Sequence, residues 1–105
     1  MKTIYVAGKI SGKENYRADF ERARKKLSSL GFDVLVPSVL PELPALRHKD
    51  YLHICFAMID VCDAVYLLPD WKASKGARME RIYAEISRKV VLEEGEDGVC
   101  KELES

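Results

Sequence analysis

The chain lacks most features that assign a sequence to a class at sight. Its 17 basic and 17 acidic residues cancel, so it has no global field of the kind that draws proteins to nucleic acid or anionic membranes. A small-molecule or protein partner is expected instead. No apolar run approaches the ~20 residues needed to cross a bilayer. The N-terminus Met1-Lys2-Thr3-Ile4-Tyr5-Val6 enters a strand pattern without a secretory signal, and a cytoplasmic location is expected. Cysteine is scarce: Cys55, Cys62 and Cys100 are odd in number and lack CxxC spacing, which fits a reducing compartment. Cys55 and Cys62 would lie about 10 Å apart along one helix face, too far to pair, and read as buried small hydrophobes. His48 and His53 form neither HxH nor HExxH, so neither a metal nor a cofactor is expected.

What is present is patterning. At 105 residues there is room for one domain with a real core, without linkers or repeats. Thr3 to Ala7 are apolar and β-prone and meet Gly8, as a buried parallel strand does at its turn. Asn15 is placed to cap a helix whose Tyr16, Phe20, Ala23, Leu27 and Leu30 share one face, with Gly31 where a left-handed residue ends it. Phe32 to Val36 read as a second strand. Pro37, Pro41 and Pro44 then keep the segment to Lys49 irregular, and a connection of that length is functional or mobile. Asp50 is expected to cap a helix with Tyr51, Ile54, Cys55, Met58, Ile59 and Cys62 as its apolar stripe. Val65 to Leu68 form a third strand.

Ser74 is placed to cap a third helix. Its Met79, Ile82, Tyr83 and Ile86 recur at core spacing, with Glu80 off that stripe. Lys89 to Leu92 close the strands, and residues 93–105 form an acidic tail with six acids in thirteen residues and one frayed turn. Right-handed crossovers turn this string into an α/β, Rossmann-like or flavodoxin-like parallel sheet of about four strands, in order 2-1-3-4, with helices on both faces.

In that order the first and third strands flank the switch point, where ligands collect. One segment there is Gly8-Lys9-Ile10-Ser11-Gly12, whose glycines admit a ligand to the backbone and whose Lys9 and Ser11 can bind an anion. Its spacing also fits a plain βα turn, being neither GxGxxG nor a Walker loop. The other is Leu67-Leu68-Pro69-Asp70-Trp71-Lys72-Ala73-Ser74-Lys75-Gly76-Ala77-Arg78-Met79-Glu80, with Ser74 and free amides at a helix start. Taken alone, Glu80 reads equally as a solvated helix residue. Asp70, at the strand's carboxyl end, is the best placed candidate acid, ahead of Asp60 and of Asp63, which reads as a cap on its strand. Trp71 fits either a stack on a base or a subunit interface.

Ile4-Tyr5-Val6-Ala7-Gly8, Asp63-Ala64-Val65-Tyr66-Leu67-Leu68-Pro69 and Ser74-Lys75-Gly76-Ala77-Arg78-Met79-Glu80 with Ala84 resemble the nucleoside 2-deoxyribosyltransferase superfamily, over roughly residues 3 to 92, which implies a domain of that kind at residues 1–92. That group includes deoxyribonucleoside 5′-monophosphate N-glycosidases and short, often phage-associated domains. The resemblance implies that Glu80 is a nucleophile attacking the anomeric carbon of a deoxyribosyl group. It implies that Tyr5 orients that carboxylate; the alternative for Tyr5 is an aromatic packed under the sheet. Ser74 stands where the nucleoside transferases carry an aspartate and where the monophosphate N-glycosidases place a serine on the 5′-phosphate, with Lys9 and Ser11 as further phosphate contacts and Arg78 adding charge. Gly76 belongs to the same helix start. Cys55 stands where the transferases place the aspartate that helps protonate the departing base. The expected protein is a homodimer or higher oligomer that cleaves or transfers at the N-glycosidic bond of a nucleotide or nucleoside; the alternative is a nucleotide-binding or sensing module without turnover.

Overall fold

A computed structural model describes residues 1–104; Ser105, the end of the acidic tail, lies outside the described residues. Four strands, β1 (Thr3–Ala7), β2 (Asp33–Leu35), β3 (Ala64–Leu67) and β4 (Val90–Glu93), pair in parallel in the order β2-β1-β3-β4. The helices are α1 (Tyr16–Ser29), α2 (His48–Asp60), α3 (Lys75–Ile86) and the short α4 (Lys101–Glu104), with 3₁₀ turns at Pro37–Val39 and Trp71–Ala73. Fold class and strand order are those expected from the sequence, and strand boundaries differ by about a residue. Among the described residues, no helix is long and apolar enough to cross a membrane.

Period-two alternation divides the two central strands between two cores. Ile4, Val6, Tyr66 and Leu68 face α1, where Tyr16, Phe20, Ala23 and Leu27 are buried. Tyr5, Ala7, Val65 and Leu67 face the opposite layer, with Cys55 and Ile59 of α2 and Ala77 and Ala84 of α3. Tyr5 thereby enters the layer that also holds Glu80. The Asp63 carboxylate accepts the Lys2 and Thr3 amides at 2.7 and 3.1 Å and ties the start of β3 to β1.

Three local expectations need correction. The helix α2 starts at His48, two residues before the expected cap; Asp50 serves from its third position, accepting the Arg47 amide at 2.8 Å. Asn15 occupies the cap position of α1 but makes no side-chain bond there. On α3 the large apolar residues face outward, with Met79 39%, Ile82 53% and Ile86 76% exposed, while Ala77, Glu80 and Ala84 face the sheet. Small alanines let the helix lie close to the strands, and a count of large side chains points to the wrong face. Of the expected stripe Tyr83 is half-buried, its ring stacked on Phe56 with centroids 4.3 Å apart.

The segment after β4 folds back onto the α1 layer. Glu94 and Cys100 are buried and Leu103 packs against that core.

Candidate active site

All three long helices run back along the sheet, so their N-termini gather at the carboxyl ends of the strands, where β1 and β3 end side by side. Here the chain encloses a cavity of about 560 Å³, the size of a small-molecule site. Gly8, Ile10 and Ser11 after β1 form one wall, His48, Tyr51, Leu52 and Cys55 of α2 another, and Ser74, Gly76, Ala77 and Glu80 a third. A Cβ on Gly8 would stand 2.8 Å from Leu68 Cδ1 and 3.1 Å from its Cβ, so a side chain there would have to displace Leu68.

The proline-rich segment between β2 and α2 is the roof. Pro37, Leu40 through Pro44 and Leu46 line the cavity. Tyr51 pins this roof, its hydroxyl donating to the Pro41 carbonyl at 2.8 Å and accepting the Leu43 amide at 2.6 Å. Tyr16 adds a second tie, donating its phenol proton to Glu42 at 2.8 Å. In the sequence both tyrosines read as members of apolar stripes, and nothing there assigns them to a roof. The available signal was their position in the first turn of helices that start at the ligand end of the sheet.

Glu80 is only 6% exposed. It stands six residues beyond Ser74, whose hydroxyl accepts the Ala77 amide at 3.1 Å and so fixes where α3 begins. The Tyr5 hydroxyl donates to Glu80 Oε2 at 2.7 Å. Cys55 lies beside both groups, and the three perturb one another. Burial raises the Glu80 carboxyl to about 7, against the opposing hydrogen bonds of Tyr5 and Cys55. Burial, then the Glu80 charge, pushes the Cys55 thiol up to about 12. The same two causes raise Tyr5 well above the usual phenol range. At neutral pH the phenol and thiol therefore keep their protons, and Glu80 exchanges its own.

Of the residues singled out in the sequence, Gly8, Ile10, Ser11, Ser74, Gly76 and Glu80 meet at the cavity, with Tyr5 behind Glu80. Lys9, Gly12, Asp70, Trp71 and Arg78 are not among its walls. Asp70 is turned the other way: it accepts the Lys9 amide at 3.1 Å and the Lys13 ammonium at 2.6 Å, beside Asp19 and Arg22 in a second, smaller depression. The Asp70 carboxylate is thus paired outside the walls of the cavity that holds Glu80. Trp71 is buried, its indole N–H donating to Glu93 at 3.1 Å and the Arg81 guanidinium 5.2 Å from its ring centroid. Its ring thus packs against Arg81 and its indole against Glu93 of the same chain. Arg78 donates to the Lys72 carbonyl at 2.7 Å, and Gly12, at φ 77°, serves the turn.

His48, unassigned from sequence, overhangs the start of α3: a Cβ on Gly76 would lie 3.5 Å from its Nε2. Among the described residues, no three His, Cys, Asp or Glu side chains cluster as a metal site.

The fold is that of the 2-deoxyribosyltransferases. The enzyme from Leishmania mexicana superposes with a TM-score of 0.69 at 24% identity, over 90% of this chain and 65% of that one. The 2-deoxyribosyltransferase of the psychrotolerant bacterium Bacillus psychrosaccharolyticus, described as a biocatalyst for the synthesis of antiviral and antitumoral nucleosides, superposes with a TM-score of 0.68 at 20% identity, over 87% and 70%. Among curated proteins, none matches the chain. Residues 2–93 match the family described as a domain of unknown function, DUF4406, and the chain belongs to that family.

Proposed function

We propose that the chain cleaves, or transfers at, the N-glycosidic bond of a deoxynucleoside or deoxynucleotide, with Glu80 as the nucleophile and Tyr5 as its positioning residue. The observation that carries this reading is a buried carboxylate that opens onto a cavity of nucleoside size and has a tyrosine hydroxyl 2.7 Å from one oxygen. Tyr5 holds Oε2, which leaves Oε1 to approach an anomeric carbon. A carboxylate there captures an oxocarbenium-like centre as a glycosyl ester, which water or a second base resolves. The Ser74 hydroxyl, which accepts from Ala77, still has a proton to donate. Together with Ser11 it supports a contact with the 5′ end of the sugar or its phosphate. Self-association belongs to the same reading, supported by the outward Ile82 and Ile86 of α3.

A second reading, a binding or sensing module without turnover, is favoured by one observation: the groups touching Glu80 keep their protons at neutral pH. Incubation with deoxynucleosides and their 5′-monophosphates, with chromatography of the free base, separates the two. Base release supports the enzyme; saturable binding without release supports the sensor. Ser74→Asp is expected to weaken the monophosphate by about tenfold or more while sparing the nucleoside, because a carboxylate repels the phosphate dianion where a hydroxyl donates to it. Equal binding of both ligands to both proteins removes Ser74 from the phosphate contact.

A further inference from the structure

The cavity's charge points to a narrower ligand class, and the inference rests on the glycosyl-transfer reading. Among the described residues, two carboxylates, Glu42 and Glu80, belong to its walls, no lysine or arginine does, and His48 is its one basic side chain. Two cations of the surrounding segments are engaged elsewhere, Lys13 by Asp19 and Asp70, each at 2.6 Å, and Arg78 by the Lys72 carbonyl, and Lys9 and Lys75, chain neighbours of wall residues, do not belong to the walls. Among the described residues, the groups that act on the Glu80 carboxyl are a phenol and a thiol, Tyr5 and Cys55. From these facts we infer that the preferred substrate carries a positive charge on its departing base, as an N-glycosylated pyridinium or an N7-alkylated purinium nucleoside does.

Chemistry and electrostatics agree on this point. A neutral purine leaves with the electron pair of the C1′–N bond and needs a proton to become stable. Cys55 and Tyr5 hold their protons too tightly to supply one readily at neutral pH. A cationic heterocycle needs none. As the Glu80 Oε–C1′ bond forms and the C1′–N bond breaks, the released pair neutralises the ring nitrogen and the base departs uncharged. Water then attacks C1′, the ester bond to Glu80 breaks, the carboxylate is restored, and one proton passes to solvent. Burial holds Glu80 at the edge of protonation, and a cation entering the cavity favours the carboxylate. The ligand that requires the nucleophile also generates it.

The test compares free-base release from 7-methyl-2′-deoxyguanosine and nicotinamide 2′-deoxyriboside with that from 2′-deoxyguanosine, each as nucleoside and as 5′-monophosphate. Each rate is divided by its own enzyme-free rate, since the cationic compounds are intrinsically labile. The enhancement is expected to be about 100-fold or more greater for a cationic substrate, the usual worth of a general acid that the neutral one lacks, and to vanish in Glu80→Gln. Which cation shows it distinguishes pyridinium from purinium. An equal or larger Glu80-dependent enhancement for 2′-deoxyguanosine overturns the charge preference and leaves the glycosyl-transfer reading standing. Release from none of them, or release untouched by Glu80→Gln, overturns both.

Discussion

Glu80→Gln is expected to lower base release by about 10⁴-fold or more, the scale on which loss of a nucleophile acts, while the folded protein keeps its structure and gains stability above neutral pH. Glutamine fills the same volume and still accepts from Tyr5, so the packing around position 80 is unchanged. It cannot form the glycosyl ester. The stability gain follows from the same burial that shields the carboxylate: the Glu80 carboxyl is raised from 4.5 to about 7, and each tenfold in proton affinity is about 1.4 kcal/mol. The folded state binds this proton more tightly than the unfolded chain, so Glu80 favours folding fully below the usual carboxylate range. That contribution disappears as pH rises through about 7, a loss of about 3 kcal/mol. Denaturant titrations from acid to mildly alkaline pH should show the decline in wild type and not in the glutamine variant. Base release in wild type should rise with pH and level off above about 7, as the carboxylate forms. Identical pH dependence of stability in the two proteins defeats the burial argument; undiminished base release defeats the nucleophile assignment.

The two halves of this site differed in how legible they were in the sequence. Backbone periodicity gave the strands, their order and the crevice, because parallel βαβ units leave few topologies. It also put Tyr5 and Glu80 on elements that end at that crevice. The burial of Glu80 was not legible, because α3 packs through Ala77 and Ala84 while its large residues face out. A hydrophobicity count weighs side-chain size, whereas a helix lying close to a sheet selects small residues. The roof was illegible for another reason. Pro37, Pro41 and Pro44 announce an irregular segment, yet its course depends on hydrogen bonds from Tyr16, 26 residues before its partner Glu42, and from Tyr51 in the helix that follows, both of which a helical stripe already accounts for. Asp70 differs again: its place in the sequence puts it at the carboxyl end of the sheet, and in the structure its carboxylate meets the Lys13 ammonium outside the walls of the large cavity.

The acidic segment after β4 reads in the sequence as a tail with one frayed turn, and Glu94→Ala tests how far the fold depends on it. The Glu94 side chain has no exposed surface. Its Oε1 accepts the Tyr66 hydroxyl at 2.6 Å, and the Arg22 guanidinium meets both oxygens at 3.0 and 3.3 Å. The backbone of Glu94 extends the sheet by one bond, its amide donating to the Leu67 carbonyl at 2.9 Å. Lys26 adds a contact from α1, its ammonium 4.0 Å from Oε1 and hydrogen-bonded to the Gly98 carbonyl. Alanine leaves the buried Tyr66 hydroxyl without its acceptor and opens space beneath Arg22. Arg22 is half exposed and recovers water; Tyr66 does not. The sum is a destabilisation of about 3 kcal/mol, which lowers Tm by roughly 15 °C in a domain of this size. Glu94→Gln keeps an acceptor for Tyr66 and gives up the charge, so it should fall between alanine and wild type. In a double-mutant cycle, Tyr66→Phe with Glu94→Ala should destabilise by less than the two single changes added together. Glu94 lies on the α1 side of the sheet, so base release per folded molecule should be unaffected at temperatures where the variant is folded. A variant melting within about 2 °C of wild type would show that residues 94 to 104 lean on the domain without stabilising it.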